Sequence, residues 1–178
     1  MSGVYEVPKR KVVVTLLAGR LRSKAALFVD LVGPTSEAEA VRQMLDRAEP
    51  FVAAELPSGE VTFVATAAVE AVLVSSTPDA VPLEHEAQLE LELQSGARLG
   101  GRVRYTLPAD RARVLDFLNQ ERGFIALEVP EGQWLVSAAK VVGCRLPRVA
   151  KAARAPASKV KAKAKARPAK PKKPAKRR

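Results

Sequence analysis

The chain has 178 residues, and 47% of them are apolar, which is enough for the packed core of one ordinary domain or two small ones. Aromatic residues make up only 4%, so aliphatic side chains must fill that core. The single cysteine and the single histidine exclude an intramolecular disulfide and leave very little for a zinc site or a catalytic triad. The composition therefore argues against most enzymes and predicts a non-enzymatic protein without a cofactor or a metal.

The net charge of +11 is unevenly distributed along the chain. Through Arg145 there are 16 basic and 19 acidic residues, which gives this part a net charge of −3. The other 14 basic residues lie between Arg148 and Arg178, where no acidic residue occurs. The sequence therefore predicts a mildly acidic body followed by a basic tail, a pattern typical of proteins with a polyanionic partner.

An apolar run near the N-terminus, at 12–19, follows three basic residues and is superficially similar to a signal peptide. The run is short, and Arg20, Arg22 and Lys24 follow it directly. No stretch of the chain approaches the roughly 20 apolar residues that a transmembrane helix needs. We interpret the run as a strand that leads into a turn, in a cytoplasmic protein that does not insert into a membrane.

Two segments of the body are similar to each other at a spacing of 73 residues, which predicts an internal duplication. Residues 51–60 align with residues 124–133, and further upstream the spacing becomes 77, which pairs Gly19 with Gly96. The identical pairs in the aligned window are Phe51/Phe124, Ala53/Ala126, Glu55/Glu128, Pro57/Pro130 and Gly59/Gly132.

Each copy has the same order of predicted elements. A strand of alternating apolar and polar residues, a turn containing glycine and a second strand form a hairpin. A short helix follows, capped in the first copy by Thr35 or Ser36 and opened in the second by Pro108 and Asp110. Two further strands then flank a Pro-x-Gly turn. The predicted strands lie at 11–17, 25–32, 51–56 and 61–74 in the first copy and at 87–94, 101–107, 124–129 and 134–146 in the second.

This order predicts an α+β, β-rich fold class with two tandem small antiparallel β-barrel-like repeats, each with one short helix, and a disordered basic tail. It is similar to small β-barrels of the Sm-like or PilZ-like kind. The PilZ likeness implies cyclic-dinucleotide binding through an R-x-x-x-R pair, which Arg98 and Arg102 reproduce, but the Asp/Asn-x-Ser-x-x-Gly segment that should follow is absent. The predicted boundaries are an N-terminal extension at 1–9, repeat 1 at 10–74, a linker at 75–86, repeat 2 at 87–148 and the tail at 149–178.

From Ala150 onward the tail contains one apolar side chain larger than alanine or proline, Val160. Such a segment cannot bury enough surface to offset about 1–2 kcal/mol of backbone entropy per residue, so we expect it to be disordered in isolation. Its Lys, Ala and Pro content resembles the C-terminal tails of linker histones and of bacterial histone-like proteins, which implies sequence-independent binding of duplex DNA. The candidate nucleic-acid-binding residues are Lys151, Arg154, Lys159, Lys161, Lys163, Lys165, Arg167, Lys170, Lys172, Lys173, Lys176, Arg177 and Arg178.

Basic residues around the two predicted hairpins could extend this footprint along the body. Together with Lys9, Arg10 and Lys11 they would form a basic stripe, although charged hairpin edges also protect strands against aggregation. The residues of this auxiliary patch are Arg20, Arg22, Lys24, Arg98, Arg102 and Arg104.

Three single residues have simple structural interpretations. His85 is expected to be a solvated linker histidine, Cys144 a small buried residue of an apolar strand, and Trp134 an anchor of the second repeat. The functional hypothesis is a nucleoid-associated protein whose tail binds the phosphate backbone while the duplicated body recruits a partner or self-associates. The alternative is a signalling or scaffold adaptor whose tail docks on an acidic protein partner.

Overall fold

A computed structural model of the protein describes residues 8–34, 36–47, 49–75 and 83–147. These residues form one antiparallel sheet of ten strands together with two α-helices. Short 3-10 helices lie at Thr66–Ala68, Ala109–Arg111 and Ala138–Lys140. The strands and α-helices are β1 (Lys9–Ala18), β2 (Leu21–Asp30), α1 (Glu37–Leu45), β3 (Phe51–Glu55), β4 (Val61–Ala65), β5 (Val69–Val74), β6 (His85–Leu93), β7 (Arg98–Tyr105), α2 (Val114–Gln120), β8 (Phe124–Val129), β9 (Gly132–Ser137) and β10 (Val141–Arg145).

The local patterns of the sequence account for these elements. In β6 the side chains of Leu89, Leu91 and Leu93 are buried, while the alternate residues point away from the core, as the period of two in a half-buried strand requires. Helix α1 begins after Ser36, whose Oγ accepts a hydrogen bond of 3.5 Å from the backbone N–H of Glu39. The β-rich prediction is therefore confirmed, and the apolar run near the N-terminus lies in β1.

The strands follow the order β10-β6-β7-β8-β9-β5-β1-β2-β3-β4. The first half, β1–β5, and the second half, β6–β10, therefore use one and the same arrangement, in which the fifth strand lies beside the first and the fourth lies farthest from it. In both halves an α-helix connects the second strand to the third, and a 3-10 helix connects the fourth to the fifth. The topology thus repeats once along the chain.

Sequence analysis predicted two tandem barrel-like repeats, and the structure shows a single open sheet of ten strands instead. Strand β5 of the first half pairs with β9 of the second half, from Ala71 opposite Val136 to Val74 opposite Gln133. The physical reason lies in the residues of β5, Val-Glu-Ala-Val-Leu-Val, which apart from Glu70 are apolar on both faces of the strand. A strand with two apolar faces is stabilised where protein covers both of them.

Each half contributes side chains to the core of the other. The first core lies mainly within the first half but includes Phe124 and Leu135. The second core lies mainly within the second half but includes Leu17 and Ala71. Because successive side chains of a strand point to opposite faces, β5 and β9 serve both cores at once. Neither core is complete without the other half of the chain.

Candidate functional site

The candidate residues of the basic tail, from Lys151 to Arg178, lie outside the described residues. The part of a nucleic-acid interface that can be placed is therefore confined to the basic residues of the body. Those residues fall into two hairpins, one in each half, and the two hairpins differ in what surrounds their charges.

The first-half hairpin presents the cations at its turn end to solvent. Strands β1 and β2 are joined by a two-residue turn, Gly19 and Arg20, in which Gly19 has the positive φ of 57° that such a turn requires. Arg20, Arg22 and Lys24 are all exposed. None of the three forms an ion pair with any residue that the structure describes. This hairpin therefore offers charges that a phosphate group can contact.

The arginines of the second-half hairpin already have carboxylate partners. Arg98 lies 3.6 Å from Glu92, and Arg102 lies 3.1 Å from Glu128. Arg104 donates a hydrogen bond of 2.7 Å from its Nε to Glu128, and this bond raises the pKa of the Arg104 guanidinium. These carboxylates offset the positive charge with which the three arginines would attract a phosphate group.

Sequence analysis identified these arginines but not their partners. Strands β6 and β7 pair with Glu86 opposite Arg104 and Glu92 opposite Arg98, so two acidic residues of β6 face two basic residues of β7. Opposite charges directly across an antiparallel pair stabilise the sheet. The signal was present in the sequence as a strand with three acidic residues on one face, followed by a turn and a strand with basic residues on the matching face.

The two hairpins do not join into one basic stripe. Five strand-to-strand steps, all antiparallel, separate β6 from β1, so these strands run in opposite directions and their turns lie at opposite ends of the sheet. The N-terminal cations are also engaged, because Lys9 pairs with Asp30 and Lys11 lies 2.7 Å from Glu55. The Arg10 guanidinium donates to the carbonyl oxygen of Pro34 at 3.0 Å.

A cleft of about 380 Å³ lies between helix α1 and the second half. Glu39 and Arg42 of α1 face it from one side, and Arg104 and Glu128 face it from the other, above an apolar floor that includes Leu135. These four charged side chains balance, and Arg104 is held by Glu128 at 2.7 Å. The cleft therefore has no excess positive charge with which to select a phosphate.

Two single-residue interpretations are corrected by the structure. His85 is the first residue of β6 rather than part of a linker, and its Nε2 lies 3.3 Å from the carbonyl oxygen of Leu107, because the alternating pattern of β6 continues back to this residue. Cys144 is exposed, because its strand β10 lies at the edge of the sheet, and partial desolvation raises the pKa of its thiol. Trp134 packs against the second core, as predicted.

Over the described ranges, no group of three or more His, Cys, Asp or Glu side chains is arranged to hold a metal ion. In the same part of the chain, no helix is long and apolar enough to cross a bilayer. Comparison with protein-family models, with curated proteins and with solved structures finds no match for this chain.

Proposed function

We propose that this protein associates with duplex DNA without sequence preference, through its basic tail, while its body contacts a partner or another copy of itself. One observation carries the proposal: 14 of the 30 basic residues lie between Arg148 and Arg178, with no acidic residue among them. Lysine and arginine residues that neutralise phosphates release condensed counterions, which is a favourable term that does not depend on base sequence.

The chemistry of the tail favours contact with the duplex backbone over readout of bases. It has no aromatic residue on which the bases of a single strand could stack. Contacts with phosphate oxygens position a protein but carry no sequence information. The proposed binding is therefore electrostatic, and it implies a nucleoid-associated location in the cytoplasm.

The body contributes unequally to this binding. The exposed first-half cations Arg20, Arg22 and Lys24 have no acidic partner among the described residues, and they support an auxiliary contact with phosphate. The second-half cations Arg98, Arg102 and Arg104 are held by carboxylates. The proposal therefore keeps the first cluster as an auxiliary site and assigns the second cluster to the stability of the sheet.

The test is binding to random-sequence duplex DNA across a salt series of about 0.05–0.5 M, where each released counterion contributes about 0.9 to the slope. If half of the tail charges engage, the tail alone contributes roughly −6 to the slope of the full chain, and a 1–147 truncation loses that contribution. The combined change R20Q, R22Q and K24Q weakens binding and makes the slope shallower by up to about 3. The matched change R98Q, R102Q and R104Q leaves the slope unchanged.

Two results would overturn the proposal. Little binding by the full chain at physiological salt would remove DNA as the partner, and the tail would then be a docking segment for an acidic protein. A slope that survives removal of the tail would move the binding site to the body.

A further inference from the structure

The fourth strand of the first half forms an exposed apolar edge. In the β3–β4 hairpin Phe51 lies opposite Ala65 and Ala53 opposite Phe63, so these side chains share one face of the sheet. Phe51 is 58% exposed and Phe63 is 73% exposed. Strand β4, with the sequence Val-Thr-Phe-Val-Ala, contains no charge and no proline, which are the usual means of protecting an edge strand.

The equivalent residues of the second half are buried. The β8–β9 hairpin has the same pairing, with Phe124 opposite Ser137 and Ala126 opposite Leu135. Phe124 is 6% exposed and Leu135 is 1% exposed, and both belong to the first core. They are buried because the pairing of β9 with β5 brings this face of β8 and β9 into the first core, which includes residues of α1. Phe51 and Phe63 are exposed because no strand of the described chain lies beside β4 and no core of the described chain covers this face.

The opposite edge of the sheet is β10, the fifth strand of the second half, which pairs with β6 on one side and with no strand of the described chain on the other. Strand β10 follows the 3-10 helix Ala138–Lys140, just as β5 follows the 3-10 helix Thr66–Ala68. Near this edge Val142 is 62% exposed and Leu146 is 59% exposed. The sheet thus ends in one free fourth strand and one free fifth strand, the same two kinds of edge that join as β9 and β5 inside the chain.

We propose that the chains associate head to tail, with β4 of one molecule pairing antiparallel with β10 of the next molecule and repeating the β9–β5 junction. The partner of the body is thus a second copy of the chain. The association itself does not depend on DNA binding, but its role on DNA rests on the proposed function. Continuity with the internal junction supports it, because the exposed Phe51 and Phe63 would meet a fifth strand as Phe124 and Leu135 do.

The internal junction also fixes the register between molecules. The 3-10 helices that begin at Thr66 and Ala138 set an offset of 72 residues between the halves in this region. Val72 lies opposite Leu135 at the internal junction. The same offset places Cys144 of one molecule opposite Phe63 of the next.

Such a contact uses two different surfaces and therefore does not close on itself in a dimer. Association continues through the free edge that each added molecule presents. The tails repel one another because each carries only positive charge, so salt or a bound polyanion should strengthen the association. On DNA the neutralised tails would leave the edges free to pair.

The decisive experiment is disulfide cross-linking of full-length F63C, in which Cys144 is the one native cysteine. Facing residues of an antiparallel pair have Cα atoms about 4.5–5.5 Å apart, a separation that a disulfide spans. Without DNA, at about 0.3 M salt, where exposed charges are strongly screened, mild oxidation should give a ladder of linked chains. The native protein has a single thiol and gives dimers at most.

Two control variants distinguish the alternatives. F63C combined with C144S should lose the ladder, whereas a symmetric β4–β4 contact would still give a linked dimer in this variant and would overturn the proposal. T62C moves the new thiol by one residue to the other face of β4, and it should give much less cross-linking than F63C. Equal yields from T62C and F63C would mean that random collisions cause the linkage, which would also overturn the proposal.

A non-covalent measurement completes the test. F63K places a charge on the exposed edge and should weaken association, measured by sedimentation, by about tenfold or more. V13K is the matched control, because Val13 is 65% exposed on the central strand β1 and lies away from the edge. Equal association of the two variants would contradict the proposed interface. DNA binding that fails while the ladder persists would refute the proposed function alone, and the reverse result would refute this inference alone.

Discussion

The two halves of the sheet have the same strand order and present very different surfaces. The first half exposes Phe51 and Phe63 on one face, and the cations at the turn end of its hairpin, Arg20, Arg22 and Lys24, have no acidic partner among the described residues. The second half buries the equivalent Phe124 and Leu135 and holds its hairpin arginines with carboxylates. In each half, the residues on one face of the strands form the core of that half. The residues on the other face contact different neighbours in the two halves, and these contacts determine which side chains are exposed and which cations are paired.

The largest expected difference between the halves is at their Pro-x-Gly turns. Gly132 has φ of 143°, and a Cβ there would lie 2.1 Å from the carbonyl oxygen of Val74. We expect G132A to lower the free energy of unfolding by about 3 kcal/mol, because β9 and β5 must separate to accommodate the methyl group. Gly59, the equivalent residue, has φ of 84° and open space around it.

G59A is the matched control, because it introduces backbone strain without a clash and should cost about 1 kcal/mol. Urea denaturation of both variants measures the difference. Equal losses would show that the turn conformation, and not the junction between the halves, determines the stability at these positions.

A second prediction concerns the contact between β7 and β8, the second and third strands of the second half. A Cβ on Gly101 would lie 2.6 Å from the backbone oxygen of Glu128, whereas the neighbouring Gly100 has open space. We expect G101A to destabilise the protein by about 2 kcal/mol through displacement of β8. G100A should be neutral or stabilising by about 0.5 kcal/mol, because alanine reduces the entropy of the unfolded chain. A similar loss in both variants would rule out the close approach as the cause.

The carboxylates Glu128 and Glu55 occupy equivalent positions with different partners. Glu128 binds both Arg102 and Arg104, whereas Lys11 is the one cation that Glu55 binds among the residues that the structure describes. E128Q should therefore lower the melting temperature more than E55Q does. It should also remove the carboxylate that Arg102 and Arg104 share, although Arg102 keeps Glu86 at 3.6 Å, and steepen the salt dependence of DNA binding by up to about 2. An unchanged slope would mean that these arginines remain unavailable to phosphate even without their partner.

The smallest expected effect is a pH dependence in the first half. Hydrogen bonds from Arg47 and Lys9 lower the pKa of the Asp30 carboxyl. Because the folded pKa lies below the unfolded value of about 3.9, this stabilisation is present above that pH and is lost as the pH falls through the folded pKa. D30N should lower the melting temperature at neutral pH and flatten its decline in acid.

D110N is the control for this measurement, because Asp110 is 77% exposed and lies 3.9 Å from Arg111. Melting curves between neutral and strongly acidic pH compare the two variants with the native protein. If D30N retains the native acid decline, other carboxylates are responsible for it.

Local patterns in the sequence predicted many of the strands and helices of this fold. They did not predict which strands pair with each other when the strands lie far apart in the sequence. Alternation in residues 87–94 predicted the buried leucines of β6, and the cap at Ser36 was among the predicted residues. The partner of each strand is not encoded in its period, so the β5–β9 pairing and the resulting single sheet were missed. Cys144 was misplaced for the same reason, since an apolar strand is buried only if it has neighbours on both sides.

The candidate site was predicted in part. Sequence analysis identified both hairpin clusters. Only the pairing of β7 with β8 reveals that Glu128 forms ion pairs with two of the arginines. The functions assigned to the tail residues remain predictions, because those residues lie outside the described ranges.

The exchange of side chains between the two cores has a consequence for how the chain can be divided. Phe124 and Leu135 complete the first core, and Leu17 and Ala71 complete the second. Cleavage of the chain between β5 and β6 should therefore give two fragments that stay bound to each other. Each fragment should fold only on the other, because it lacks part of its core by itself. Expressed separately, either fragment should be largely unfolded, and mixing should restore the structure. The two halves should therefore fold and unfold together as one cooperative unit, whether or not a peptide bond joins them.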